Sequence, residues 1–414
     1  MISCINTHND YLYVMASSLY NSSKNARKVF IVILIIALVY IGIDTYGKLV
    51  KSTQIVAPAH FSFYKDPDYL LGSIGIIGTP KIAAISFSGN PTYSLSNPFN
   101  SFPDVAYIYK IDKPRELLTT IDDAQKTAQL LGFTTIADQQ GDDFTWTAAA
   151  TTKTLKFNKS NGVWSLRTKY NDNIEAKKNK NLFSDDTQYD SSVSGVISSL
   201  GFENSYGLTD GAINTSFADI QSDGTLFKPD NSRNSKYVVA NIFRNIDYSE
   251  LRTGIDLSGI KDKSLVPTAP PKVKVYKSDA KKGEFRLVVS NDLSSYARDI
   301  FEWDFINFAY SFKDGVIQRG LYPIITPEEG WNLVQNKKGF LTQITPEDGN
   351  TLLSYSNLGL TQVVADGFKT EFGYFEPDEW TGYIYPIFIY TGRAQLSNGK
   401  QASFKIYVDA IKKF

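Results

Sequence analysis

Cysteine, histidine and methionine are almost missing from this chain, which holds one Cys, two His and two Met in 414 residues. A structural zinc site of the usual Cys/His kind takes about four ligands, and Cys4, His8 and His60 are too few. Nucleophilic systems of the Cys–His or Ser–His–carboxylate kind lose their base for the same reason. Cys4 is the sole thiol, so no disulfide within the chain supports the fold. Net charge is absent too: 43 Lys and Arg balance 43 Asp and Glu, which gives no broad pull toward nucleic acid. The glycine-rich stretch Gly72-Ser73-Ile74-Gly75-Ile76-Ile77-Gly78 lacks the Lys and Ser/Thr of a phosphate-binding loop. These absences exclude the common metal, nucleophile and nucleotide chemistries, and no cofactor is expected.

Long apolar runs are equally scarce, with one exception. Val29 to Ile43 carries no charge, and the residues between Lys28 and Lys48, as a helix rising about 1.5 Å per residue, come close to a bilayer core of about 30 Å. Val29, Ile31, Ile33, Leu34, Ile36, Leu38, Val39 and Ile41 are its membrane-anchor residues. A cleaved signal is the alternative. The long preceding tail and the distance to the nearest small-x-small site, Ala57-Pro58-Ala59, favour a retained anchor. Lys24, Arg27 and Lys28 before the run outnumber Lys48 and Lys51 after it, which biases the N-terminus toward the cytoplasm. The expectation is a single-pass cell-membrane protein: cytoplasmic tail 1–28, transmembrane helix 29–47 in contact with lipid, and an extracytoplasmic remainder.

Tyr and Phe number 25 and 26, and with abundant Ser, Thr and Asn they favour sheet with polar turns. The predicted class is α+β, with helix-plus-antiparallel-sheet units as a candidate repeat. Residues 48–104, rich in Pro and Gly, read as stalk and extended segment; 105–265 form a first α+β domain and 266–414 a second. Val105–Ile111 alternates as a strand. Ile121, Ala124, Ala128 and Leu131 share a helical face closed by Gly132. Phe144–Ala150, Thr152–Asn158 and Val163–Lys169 read as a meander, the last two joined at Asn161-Gly162 in a turn with both φ positive. Asn171–Asp190, with Lys177, Lys178 and Lys180, reads as a solvated linker. Val193–Leu200 repeats the helix, and Leu200-Gly201-Phe202 echoes Leu131-Gly132-Phe133. Tyr237–Ile246 reads as one strand, and Pro267, Pro270 and Pro271 mark a boundary. Lys272–Lys277 and Glu284–Ser290 read as a hairpin over Lys281-Lys282-Gly283, and Glu302–Phe312 with Val316–Ile325 as another over Asp314-Gly315. Thr326-Pro327-Glu328-Glu329 opens a helix with N-cap, first-position Pro and acids in the first turn. Tyr383–Leu396 and Gln401–Asp409 form the closing hairpin, and Tyr322-Pro323-Ile324 is matched by Tyr385-Pro386-Ile387.

Among the carboxylates, Asp122-Asp123, Asp142-Asp143 and Asp185-Asp186 fit a helix start and solvated turns. Glu376-Pro377-Asp378-Glu379-Trp380 places acids beside aromatics between two strands. Glu376, Asp378, Glu379 and Trp380 are therefore the candidate binding residues, for a partner protein or a sugar ring. A surface turn with Trp380 returning to the core is the plainer reading.

The N-terminal anchor, Phe102-Pro103-Asp104 before a Val/Tyr strand, the helix ending Leu-Gly-Phe, Phe144-Thr145-Trp146-Thr147, and Tyr322-Pro323-Ile324 leading into Thr326 to Trp331 resemble bacterial single-pass envelope proteins. The layout is distantly similar to the YycH/YycI regulators. That resemblance implies one membrane helix, an outer domain of helix-plus-sheet units, and modulation of a sensor kinase by membrane-level contact. It departs at Gly330, where alanine is usual, and carries over no functional residue. The function expected is binding or regulation through an envelope protein partner, with no catalytic set; a carboxylate-based envelope enzyme or carbohydrate-binding protein is the alternative. A reporter fused after Phe414 is expected to be active only outside the cytoplasm, and activity inside would reverse the arrangement.

Overall fold

In this computed structural model the described residues are 60–61, 66–73, 89–100, 102, 104–112, 121–148, 151–172, 193, 195, 198, 211–229, 235–247, 255–256, 272–290, 300–305, 312–347, 359–378 and 380–413. In chain order they form β1 (His60–Phe61), β2 (Thr92–Leu95), β3 (Val105–Lys110), α1 (Ile121–Leu130), β4 (Asp138–Gln140), β5 (Asp143–Ala148), β6 (Lys153–Asn158) and β7 (Trp164–Thr168). There follow β8 (Ala212–Ile220), β9 (Leu226–Phe227), β10 (Tyr237–Phe243), β11 (Asn245–Asp247), β12 (Ile255–Asp256), β13 (Lys272–Tyr276), β14 (Phe285–Ser290) and β15 (Ile300–Phe305). The last part holds β16 (Phe312–Lys313), β17 (Val316–Ile317), β18 (Arg319–Pro323), α2 (Pro327–Gln335), β19 (Phe340–Pro346), β20 (Leu360–Ala365), β21 (Glu371–Phe375), β22 (Tyr383–Leu396) and β23 (Gln401–Asp409).

The expected α+β class with an N-terminal transmembrane helix is corrected: the chain is mostly β, built on two large sheets. The aromatic and β-branched residues that suggested partial sheet take most of the described chain into strands. No helix among the described residues is long and apolar enough to cross a membrane. The tail, the anchor residues from Val29 to Ile41, the lysines at 177, 178 and 180, Leu200-Gly201-Phe202 and the prolines at 267, 270 and 271 lie outside the described residues.

The first sheet has nine antiparallel strands in the order β4-β5-β6-β7-β15-β14-β10-β8-β9. One of its faces carries an apolar row through the cross-strand pairs Ala240↔Leu287, Leu287↔Trp303, Trp303↔Leu166, Leu166↔Leu155 and Trp146↔Leu155. Trp164 stacks on Trp303 at 5.3 Å and on Phe157 at 4.3 Å between centroids. Ala124 and Ala128 of α1 pack on this face, and Gln125 Oε1 accepts from Trp146 Nε1 at 2.8 Å. Truncating a fully buried tryptophan such as Trp303 typically costs about 3–5 kcal/mol.

The second sheet runs β11-β13-β21-β22-β20-β2, with β23 and β19 added on one branch and β3 and β18 on another. Its hub is β22, which pairs with β21, β3, β23 and β20 along its fourteen residues. Pro386 falls where the β3 pairing ends and the β23 pairing begins, and such a break is where a strand tolerates proline. The matched tripeptides do sit together: Tyr322 and Tyr385 share a cluster with Ile108 and Ile411. The carbonyls of Pro323 and Pro386 accept from Lys412 N and Ala410 N.

Helix α2 covers one face of this second sheet, with Trp331 and Val334 against Leu341, Phe388, Tyr390 and Ile406. Thr326 and Glu329 close the anticipated capping box. Gly330 has a packing cause, since a Cβ there would overlap the Tyr390 hydroxyl. That hydroxyl donates to Pro327 O at 2.6 Å.

Four expectations fail at the sheet boundary, among them the hairpin of Glu302–Phe312 with Val316–Ile325, since β15 joins the first sheet and β18 the second and only β16 and β17 pair across Asp314-Gly315. Lys272–Lys277 and Glu284–Ser290 are strands but not a hairpin, because β13 joins the second sheet and β14 the first. Tyr237–Ile246 is not one strand, because the chain leaves the first sheet after Phe243 and enters the second at Asn245. Strands from both sides of residue 265 are mixed in both sheets. Turn chemistry was also partly misread. Asp314-Gly315 has both φ positive, at 52° and 77°, but at Asn161-Gly162 and Asn398-Gly399 only the glycine does. Those two connections are longer loops closed by glycine rather than two-residue turns.

Candidate functional site

Glu376, the first acid of the candidate turn, is fully buried. It follows β21, and its Oε2 meets Lys277 Nζ at 3.0 Å, just past β13. Arg244, between β10 and β11, approaches Glu376 Oε1 at 3.9 Å and holds Glu284 through two guanidinium nitrogens, Nε at 2.9 Å from Oε2 and Nη2 on Oε1. Burial pushes the Glu284 carboxyl up to about 7, with Arg244 pulling the other way and Glu376 adding to the rise. Arg244 and Glu284 belong to the ends of first-sheet strands, Lys277 and Glu376 to the ends of second-sheet strands. This quartet is a joint, with an apolar plug of Phe243, Tyr276, Ala280, Phe340 and Tyr407 beside it. Asp378 is exposed, Trp380 is 41% exposed, and Glu379 lies outside the described residues. The anticipated return of Trp380 to the core does not occur. The sequence-predicted residues therefore do not converge: one is locked in the joint while two face solvent.

A different surface carries two larger cavities. The faces that α1 and α2 leave uncovered are mixed: Tyr237, Val239 and Val288 on the first sheet and Ile387, Ile389 and Tyr407 on the second are buried there, and polar rows continue the same strand parity beyond them. On the first sheet a cross-strand row runs Asn214, Asn241, Arg286, Asp304, Ser165. On the second, Thr391↔Lys405 and Lys405↔Gln343 form one row and Arg393↔Ser403 the next, while Ala394, Ala402, Phe404 and Ile406 point into the core. Two cavities of about 660 and 540 Å³ lie over these faces and share Gln343 and Lys405 in their walls, so they form one groove.

Its carboxylates are all engaged. Asp304 takes Arg167 at 2.6 Å, Glu302 takes Arg286, Asp279 takes Lys282 at 3.9 Å and Asp366 takes Lys369 at 3.8 Å. Arg393, Lys405 and Lys228 have no ion-pair partner among the described residues. Lys405 lies over the Tyr276 ring at 5.4 Å. Burial lowers its ammonium pKa, partly offset by Glu371 and reinforced by Lys274. Asn241 Oδ1 is buried on the groove wall without a hydrogen-bond donor among the described residues. These groups were missed in the sequence, although the alternation Gln401, Ser403, Lys405 against Ala402, Phe404, Ile406 was there to find.

A third cavity, of about 400 Å³, is lined by Asp409 with Glu329, Leu333, Lys338, Lys412 and Lys413. Asp409 accepts from Ile411 N at 3.0 Å and has Lys413 Nζ at 3.8 Å. Among the described residues no group of three or more His, Cys, Asp or Glu side chains is placed to hold a metal.

No family model and no curated protein matches the chain. The likeness to YycH/YycI regulators accordingly rests on the sequence layout already described, and the site has to be judged on its own geometry.

Burial raises the Asp409 carboxyl from 3.8 to about 6, against the opposing pull of the Ile411 N–H and Lys413. A raised carboxyl favours the protonated folded state, so its contribution is complete below the ordinary value and is lost as pH rises through the folded one. Denaturation midpoints measured from pH 3.8 to about 6 are expected to fall more steeply in the native chain than in Asp409→Asn. Equal slopes would show that Asp409 is solvated.

Proposed function

We propose that the protein acts by binding rather than by catalysis, and that the groove between the two sheets holds a partner protein. The observation that carries this reading is the groove's make-up: two adjoining cavities across both sheets with many polar groups in their walls, the carboxylates paired and three cations without an ion pair among the described residues. Sites for small ligands are mostly apolar and enclosing, whereas extended, polar, hydrogen-bonding surfaces suit polypeptide. A place at the membrane of the cell envelope belongs to the same reading and rests on the sequence. A regulatory role by contact, of the kind the resemblance implies, is compatible with it.

The carboxylate-based enzyme or carbohydrate binder at residues 376–380 is the weaker reading. Its first acid is held by Arg244 and Lys277, and an acid or base in use must reach the reacting group.

A photo-reactive residue placed at Ser403, exposed in the groove, or at Asp378, exposed outside its lining, tests the proposal in membranes. A discrete protein adduct is expected from position 403 and none from 378. Adducts from 378 alone, or from neither, would overturn the assignment of the groove.

A further inference from the structure

Resting on the binding reading above, we infer that the groove takes an acidic stretch of the partner's polypeptide in extended form. The cations lining the groove outnumber its carboxylates eight to four in a chain whose total charge is zero. The excess is local, and clefts of one sign concentrate ligands of the other. Every lining carboxylate lies beside a neighbouring Arg or Lys, so the excess charge is carried chiefly by Arg393 and Lys228, with Lys405 partly offset by Glu371. Arg393 and Lys228 are exposed, while Lys405 is half-buried. An ammonium partly out of water gains most when an anion restores the interactions lost on burial.

Charge alone admits a phosphate polymer as readily as a peptide. The neutral groups decide between them. Asn214, Gln343 and Gln401 each offer an acceptor as well as donors. A peptide backbone supplies N–H groups and carbonyls in alternation and so serves both halves of each amide. A polyanion supplies acceptors only and leaves the acceptor half of each amide unmet. The cross-strand rows step along both sheets with a period of two residues, which is also the side-chain period of an extended peptide. Acidic side chains at alternate positions would reach Arg393 and Lys405 while the backbone meets the amides.

The test uses the full chain in detergent and fluorescence anisotropy with a labelled peptide of about twelve residues alternating Glu and Thr. A peptide alternating Lys and Thr and inorganic polyphosphate of similar charge serve as comparisons. Binding of the acidic peptide alone is expected, weakening steeply as salt rises to about 0.5 M. Arg393→Glu and, separately, Lys228→Glu should each weaken it by about tenfold or more, while Trp380→Ala leaves it unchanged. Equal binding of the basic peptide, polyphosphate displacing the acidic peptide, or indifference to both charge reversals would overturn the inference. If Ser403 yields its adduct while no acidic peptide binds, this ligand assignment falls and the binding reading stands; if neither occurs, both fall.

Discussion

The two sheets are joined by charge in a place that excludes water. Arg244, Glu284, Lys277 and Glu376 are each at most 4% exposed, and each stands at the end of a strand where the chain leaves or borders one sheet. Desolvating four charges is expensive, so such a cluster is weak as a source of stability. Its consequence is geometric: an arginine already held by Glu284 and directed at Glu376 allows few other arrangements of the strand ends. Gly283 shows how close the approach is, since a Cβ there would collide with the backbone of Ile242. Once these ends are fixed, the polar face of each sheet is committed to the same groove.

Everything that makes the groove follows from alternation on either side of that joint. In each sheet one face is closed by a short helix, α1 over the tryptophan row and α2 over the Phe388 and Tyr390 face. Of the other parity, Tyr237, Val239, Val288, Ile387, Ile389 and Tyr407 are buried while the polar residues beyond them face out, and Lys405 and Gln343 line the cavities over both sheets. β22 extends this arrangement by holding four strands at once, so that Thr391 and Arg393 lie beside β23 while the other edge of β22 carries β21 and β20.

Local structure was readable in the sequence wherever one periodic pattern matched one element. The alternation of Val105–Lys110, the spacing Ile121, Ala124, Ala128, the Thr326 cap and the closing hairpin at residues 383–409 all recur in the structure. What could not be read was which sheet a strand joins. Lys272–Tyr276 and Phe285–Ser290 carry the same alternation as a hairpin pair, yet they join different sheets, with Lys277 and Glu284 buried at their ends. Glu376 was singled out for its company of acids and aromatics, and that signal was sound chemically. Its partners Arg244 and Lys277 lie 132 and 99 positions away, beyond any local pattern. The groove was invisible for a related reason: its walls come from segments spread from Ser96 to Lys405.

The claim on which the account turns is that the quartet acts as one coupled joint. A double-mutant cycle on Lys277→Met and Glu376→Met, read by equilibrium denaturation, tests it. Each single change should strand a buried charge and destabilise by about 3–5 kcal/mol, and the double change should lose less than the sum by about 1–3 kcal/mol. Additive losses, or single changes near zero, would contradict a coupled joint and with it the fixed meeting of the two sheets.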